Sequence, residues 1–314
     1  MKRANSPSPQ SRRGAALMVV LWLIAILAIA SLTALKVISF DMTVAASTIH
    51  GARAKHLSEM GVAIASNRVI ERTDPLLFFE DVDKMEGFSV RLSSEGQRFN
   101  INAIVGGRDT DLLNTMFTEW GMELEQSEAL VDALTDWIDA DDQVSVKGAE
   151  IEEYEAAGRI NQPFNRPFYS LEEMRLVFGM DRLEAIKPDW RDWFTAWSGG
   201  QLDLNDASAE FIAMAAECPV EQALLVVEAI QGVDGMRDTE DDEPFEEVTG
   251  ALALLGIDPT LDPLLANRFT VNDATVRIES MGWAGEARRL TTLILRNRDG
   301  TKPLLLNRIQ KIIP

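Results

Sequence analysis

Two stretches of this chain crowd carboxylates closely enough to hold a hard cation. The segment DALTDWIDADDQVSVKGAEIEEYE, Asp132 to Glu155, carries nine acidic residues and one base, Lys147. Counted from Asp139, the residues Asp139, Asp141 and Gln143 occupy positions one, three and five, and Glu150 occupies position twelve. That spacing partly imitates a calcium loop closed by a bidentate carboxylate. Position six is Val144 instead of the turn glycine, so the stretch is not an EF-hand. Like charges at this density repel unless a cation or solvent screens them, and a solvated acidic loop has the same composition. A second stretch, GVDGMRDTEDDEPFEEV, gathers Asp234, Asp238, Asp241 and Asp242 around Gly235. It suits oxygen ligation of Ca²⁺ and equally suits an ordinary acidic loop.

Other chemistry finds no support. His50 and His56 are six residues apart, which puts them on different faces of a helix. Cys218 is the only cysteine, so neither an intrachain disulfide nor a zinc framework can form. No glycine-rich phosphate loop, G-x-S-x-G elbow or H-E-x-x-H occurs, and nothing points to an enzyme. The tryptophans read as core.

The elements that must position the acids begin with an apolar helix. From Gly14 through Leu35 there are 22 residues without a charge, enough to cross a bilayer. The preceding tail, MKRANSPSPQSRR, holds four basic residues and no acid, which places the N-terminus in the cytoplasm and the bulk of the chain across the membrane. The exported part carries 26 basic against 50 acidic side chains, a balance that excludes nucleic acid as a partner and favours cations and basic partners.

Apolar residues three or four apart continue after Leu35, so one helix is expected from about Ala16 to Thr73, stopped by Asp74-Pro75. FSVRL and RFNIN alternate and read as a hairpin joined by residues 93–97. Matching strands return only in ATVRIESMGW, RRLTTLILR and PLLLNRIQKII, with turns at Gly285-Glu286 and Asp299-Gly300. The intervening insertion is helical in pattern, with a capping box expected at Ser170 and Glu173. Within it Phe99-Asn100-Ile101-Asn102-Ala103 is echoed by Leu202-Asp203-Leu204-Asn205-Asp206-Ala207, which suggests two related helical subdomains.

The start RRGAALMVVLWLIAILAIASL, together with ALTDWIDADDQ, KGAE, RPFYSLEEMRLVFGM and LDLNDASAEFIAM, resembles the minor pseudopilin K family of type II secretion systems over nearly the whole chain. The resemblance implies an α+β fold: a pilin-like long N-terminal helix with an antiparallel sheet, interrupted by a large all-helical insertion of two SAM-like bundles. Residues 1–14 would be a prepilin leader and 15–36 the transmembrane part of the long helix. Residues 37–102 would hold its periplasmic part and the first hairpin, 103–200 and 201–266 the two helical subdomains, and 267–314 the C-terminal strands. Prepilin peptidase would cut between Gly14 and Ala15 and methylate the new N-terminus. The chain would then sit in the inner membrane by a single pass, most of it periplasmic, at the tip of the pseudopilus with minor pseudopilins I and J and other secretion components.

Val19 stands where most pilin-like chains carry glutamate, and the resemblance makes that apolar residue a mark of the tip. It also implies structural calcium, with Asp136, Asp139, Asp141, Asp142 and Glu150 matching the family's acidic run and Asp234, Asp238, Asp241 and Asp242 a weaker second set. The family's proline after the aspartates is replaced here by Gln143 and Val144. The competing reading is an exported soluble calcium-binding helical protein with a cleaved Sec or Tat signal. Ala28-Ile29-Ala30 satisfies a small-x-small rule, and Ser11-Arg12-Arg13 faintly resembles a twin-arginine signal.

Overall fold

The computed structural model describes residues 9–107 and 109–313, with side chains of the first helix described from Ala16 onward. Helix α1 (Pro9–Ala65) runs 57 residues, about 85 Å at the rise of an α-helix. Only its last quarter packs on the rest of the protein. Gly51, Ala54, Ser58, Gly61 and Ala65 recur every three or four residues and are buried, whereas every described side chain from Ala16 to His50 is exposed. Small residues on that stripe let the helix lie close against a sheet.

The helix ends at Ala65, eight residues short of the expected stop at Thr73. Its free C-terminal carbonyls are taken up by a residue from the far end of the chain. Arg298 donates from Nε to the Ala65 carbonyl at 2.8 Å, and from one terminal nitrogen to those of Asn67, at 2.7 Å, and Ile70. Asp74 still acts as a stop signal, capping a single 3₁₀ turn at Pro75–Leu77 by accepting from Leu76 N–H.

The expected hairpin between FSVRL and RFNIN does not form. Strand β1 (Phe78–Asp81) pairs antiparallel with β2 (Glu86–Ser94) instead. The Ser94 hydroxyl accepts from Gly96 N–H and starts a 3₁₀ turn that carries the chain out of the sheet. Strand β3 (Phe99–Asn100) then pairs in parallel with β4 (Phe194–Thr195), as β5 (Leu202–Asp203) does with β6 (Phe269–Thr270). Between β3 and β4 run α2 (Ile101–Gly107), α3 (Thr110–Glu119), α4 (Leu124–Ile138), α5 (Ile151–Ala156), α6 (Leu171–Met174) and α7 (Met180–Ile186). Between β5 and β6 run α8 (Ala209–Ala216), α9 (Val220–Ile230), α10 (Val248–Leu254) and α11 (Pro263–Ala266).

The expected capping box does not form: Ser170 precedes α6 without capping it through its side chain, and the Glu173 carboxylate pairs with Arg166 at 3.0 Å. The C-terminal strands β7 (Thr275–Ala284), β8 (Ala287–Arg296) and β9 (Leu304–Ile313) complete a five-stranded antiparallel sheet in the order β1-β2-β7-β8-β9. Gly285, at φ +55°, supplies the left-handed conformation of the β7–β8 turn.

The five-residue echo has a structural counterpart. Asn102, three residues after the start of β3, donates to the carbonyl of Phe168 at 3.0 Å and accepts from its N–H at 2.7 Å. Asn205, three residues after the start of β5, does the same to Phe245, at 2.9 Å each way. Each asparagine also reaches the carbonyl two residues past the start of the returning strand, Ala196 or Val271. Both helical excursions are therefore closed by one device: an asparagine clamps the backbone of a Pro-Phe dipeptide, Pro167-Phe168 or Pro244-Phe245.

One buried apolar cluster runs through both excursions, from Phe99 to Phe269, and a smaller one joins α1 to the sheet through Val62, Ala65, Leu92, Ile278 and Leu293. The sheet side meets the insertion through ion pairs whose carboxylates are buried. Glu95, which is fully buried, accepts from Thr195 Oγ1 at 2.6 Å and from Arg277 at 3.2 Å. Arg72 makes a two-pronged contact with buried Asp206, which also accepts from Ser94 N–H at 2.9 Å. Of these residues only Asp206 falls in a stretch the sequence singles out, the internal echo; Glu95 falls in what reads there as a hairpin loop.

On β7, Gly282 lies directly under α1. A methyl group there would run into the Ala54 carbonyl oxygen and the Ser58 nitrogen, both backbone atoms that cannot swing away. Gly282→Ala is expected to destabilise the chain by about 2 kcal/mol, and a melting curve unchanged from the parent would show that the helix is not seated there.

Candidate cation site and anchor helix

Helix α4 delivers Asp136 to the interior and then ends, with Asp139 as its C-cap. The chain from Asp139 to Ala149 has no regular secondary structure, and α5 begins directly after Glu150. Asp136 is fully buried and accepts from the backbone N–H of Ser145 at 3.1 Å and from its hydroxyl, so the aspartate folds the loop back over the end of α4. Gly148 passes so close to the Asp136 carboxylate that a side chain there would collide with it. Asp141 accepts from Gln143 N–H at 2.9 Å, and Asp142 from Asn165 at 3.0 Å.

Glu150 is different. It is 4 % exposed, and both carboxylate oxygens are buried without a hydrogen-bond partner. Its backbone N–H is satisfied by Glu153 at 2.9 Å, but its side chain is not. Burial pushes the Glu150 carboxyl up to about 7, and the neighbouring charges of Asp136, Asp139, Asp142 and Asp141 push in the same direction. Burial also raises Asp136, against the opposing hydrogen bonds from Ser145. A buried carboxylate among four others, with no donor of its own, is the electrostatic setting in which a divalent cation stabilises a fold. Among the described residues, no three acidic, histidine or cysteine side chains converge as a ready ligand set.

The second acidic stretch is already occupied with its own loop. Asp241 accepts from Val233 N–H at 2.8 Å, Asp234 N–H at 3.1 Å and Thr239 Oγ1 at 2.9 Å. Asp234 accepts from Met236 N–H, and Asp242 from Asp238 N–H, both at 2.7 Å. Asp238 faces Arg72 and Arg91 at 3.8 and 3.7 Å. These acids fold the loop and tie it to the sheet side of the molecule.

At the N-terminus, residues 1–8 of the expected leader lie outside the described residues, and the side chains of Gly14 and Ala15 are not described, although their backbone continues α1. Val19 is exposed on that helix. The stretch from Ala16 is long and apolar enough to cross a membrane, and none of its most apolar window is buried.

A long helix, apolar and bare at its N-terminal end and packed on an antiparallel sheet at the other, defines a pilin-like fold with a helical insertion. Within that class, residues 97–188 match the model of type II secretion system protein K. The chain is similar to type II secretion system protein K of Pseudomonas aeruginosa, 28% identical over 162 residues covering 48% of this chain and 46% of the relative. It is also similar to the protein of that name from Pectobacterium carotovorum subsp. carotovorum, 31% identical over 94 residues covering 26% of this chain and 29% of the relative. It thus spans less than half the length of each of these curated relatives. In fold it is similar to a chain of the GspK-GspI-GspJ complex from the type 2 secretion system of enterotoxigenic Escherichia coli, with a TM-score of 0.58 and 17% identity over 87% of this chain and 98% of that one.

Proposed function

We propose that the chain is a minor pseudopilin of a type II secretion system, held in the inner membrane by the first part of α1 and standing at the tip of the pseudopilus with minor pseudopilins I and J. The observation that carries this reading is α1 itself. An apolar stem that its own domain leaves uncovered for most of its length must be covered by lipid before assembly and by neighbouring helices after it. The helical insertion favours a cap over a shaft, since so large a body between β2 and β7 is hard to repeat along a thin fibre. Val19 agrees, because a subunit with nothing above it needs no glutamate to neutralise a neighbour's N-terminal amine.

Processing would remove residues 1–14 and methylate Ala15. Mapping the mature N-terminus of the chain from cells with prepilin peptidase tests this: N-methylated Ala15 is expected. A chain beginning at Ser31 would mean an ordinary secretory signal and a soluble exported protein.

The reading includes a structural calcium ion. Glu150 with Asp136, Asp139, Asp141 and Asp142 would hold it only after the loop between α4 and α5 drew them together, since no three of them converge as the loop stands; their carboxylate oxygens are donors that suit a hard cation. Bound there, the ion would neutralise the buried carboxylate and fix the loop between α4 and α5.

A further inference from the structure

The chain crosses between the sheet and the helical insertion twice, at residues 95–98 on the way out and 271–274 on the way back. The two crossings are laced into one neck. Asp273 accepts from Gly199 N–H and from Thr275 N–H, both at 2.6 Å. Buried Asp203 accepts from Asp273 N–H at 3.1 Å and from Asn205 N–H at 3.2 Å. Gly96 fits against both because it lacks a side chain: a Cβ there would come within 2.9 Å of the Asp273 Cβ and 3.1 Å of the Asp203 Cβ.

Beyond the neck, apolar packing does not join the two bodies. The buried cluster of the insertion and that of α1 with the sheet share no residue. Between them lies a cleft of about 590 Å³, lined by Leu92 and Val276 of the sheet and by Ile230 and Pro244 of the insertion. What spans it is charge. Residues 103–266 carry 37 acidic and 9 basic side chains, whereas residues 37–102 and 267–314 together carry 13 acidic and 16 basic, so the insertion is drawn toward the body it stands on.

Across the cleft that attraction is concentrated at one residue. Asp238 lies in the loop between α9 and α10, which Arg237 ties to the insertion by donating to the carbonyls of Asn205, at 2.7 Å, and Ala207, at 3.1 Å. Asp238 stands at φ +64°, and its carboxylate faces Arg72 and Arg91 at 3.8 and 3.7 Å, both beyond hydrogen-bond reach. Arg72 is itself fixed by its two-pronged contact with Asp206 at the neck. Two long charge contacts, unlike the hydrogen-bonded neck, can part without stranding a donor or acceptor.

We propose that the insertion tilts as one body on this neck, and that Asp238 is the latch that holds it closed by lying between Arg72 and Arg91. A few residues at element ends that absorb the motion, with a breakable contact to one side, are the parts of a domain closure. The inference goes beyond the pseudopilus reading, since it concerns only the junction of sheet and insertion.

The test is the distance distribution between spin labels on Ala63→Cys, exposed on α1, and Glu228→Cys, exposed on α9, in the full chain in detergent with Cys218→Ser. The parent is expected to give one narrow peak. Asp238→Lys, which sets like charge against both arginines, should widen it about two-fold, and Asp238→Asn about half as much. Glu240→Lys, the same charge change on an exposed side chain two residues away, should leave the width within about a fifth. Adding Arg91→Glu to Asp238→Lys should narrow the peak again by restoring an opposite pair. A parent as wide as Asp238→Lys, a width that neither Asp238 variant changes, equal widening in Glu240→Lys, or no narrowing on adding Arg91→Glu would overturn the proposal.

Discussion

Arg298→Met is expected to lower the stability of the chain by about 3 kcal/mol, read as a fall of roughly 8 °C in the melting temperature of the full chain in detergent. The guanidinium is buried and reaches three carbonyls at the end of α1 and in the turn after it, of which that of Asn67 also accepts from Ile70 N–H at 3.1 Å. Its carboxylate neighbour, Asp299, is 3.2 Å away and largely in solvent, so the backbone contacts decide the energy. Methionine keeps the aliphatic stem but takes the arginine's donors from the carbonyls of Ala65 and Ile70, leaving that of Asn67 with Ile70 N–H alone. Arg298→Lys should recover part of the loss, because an ammonium can serve one or two of the three but not the whole fork. A methionine variant that melts with the parent would mean that the end of α1 is held by something else.

The same residue shows why the end of α1 could not be read from its own stretch of sequence. Spacing carries the helical pattern through Ile64 and would let it continue toward Thr73; the helix stops at Ala65, where the carbonyl is met by an arginine more than two hundred residues later. The misassigned hairpin has the same origin. FSVRL does form a strand, but Ser94 and Glu95 turn the chain toward Arg277 and Thr195, partners that local alternation cannot reveal. Strands β7 to β9 were readable because they pair with their neighbours in sequence across turns marked by Gly285 and Gly300. The echo around Asn102 and Asn205 was visible as five residues, and the Pro-Phe dipeptides at 167 and 244 were the missing half of the signal. For the acidic loop, composition pointed to the right stretch, but only packing separates Glu150, buried and without a donor, from Asp141 and Asp142 on the surface.

That separation gives the acidic loop a pH signature of definite sign. The Glu150 carboxyl is held at about 7 in the folded chain, above the ordinary glutamate value of about 4.3 expected once it unfolds. A carboxyl with a raised folded value favours the folded state fully below the unfolded value, and that contribution is lost as pH rises through the folded one. Without calcium, the chain should therefore lose stability between about pH 4.5 and pH 7, by about 2–3 kcal/mol from this group. Asp136, Asp203 and Asp238 are also raised, each first by burial, and push in the same direction. The informative quantity is thus the difference from Glu150→Gln, which keeps the shape and removes the charge. At pH 8 in chelator the glutamine variant should be the more stable by about 2–3 kcal/mol, and the gap should close as pH falls toward 5. Calcium at about one hundred times its dissociation constant should add about 2.7 kcal/mol to the parent and little to the variant, reversing their order. Parallel pH profiles for the two proteins in chelator would remove Glu150 as the titrating group. Equal gains on adding calcium would place any bound ion elsewhere.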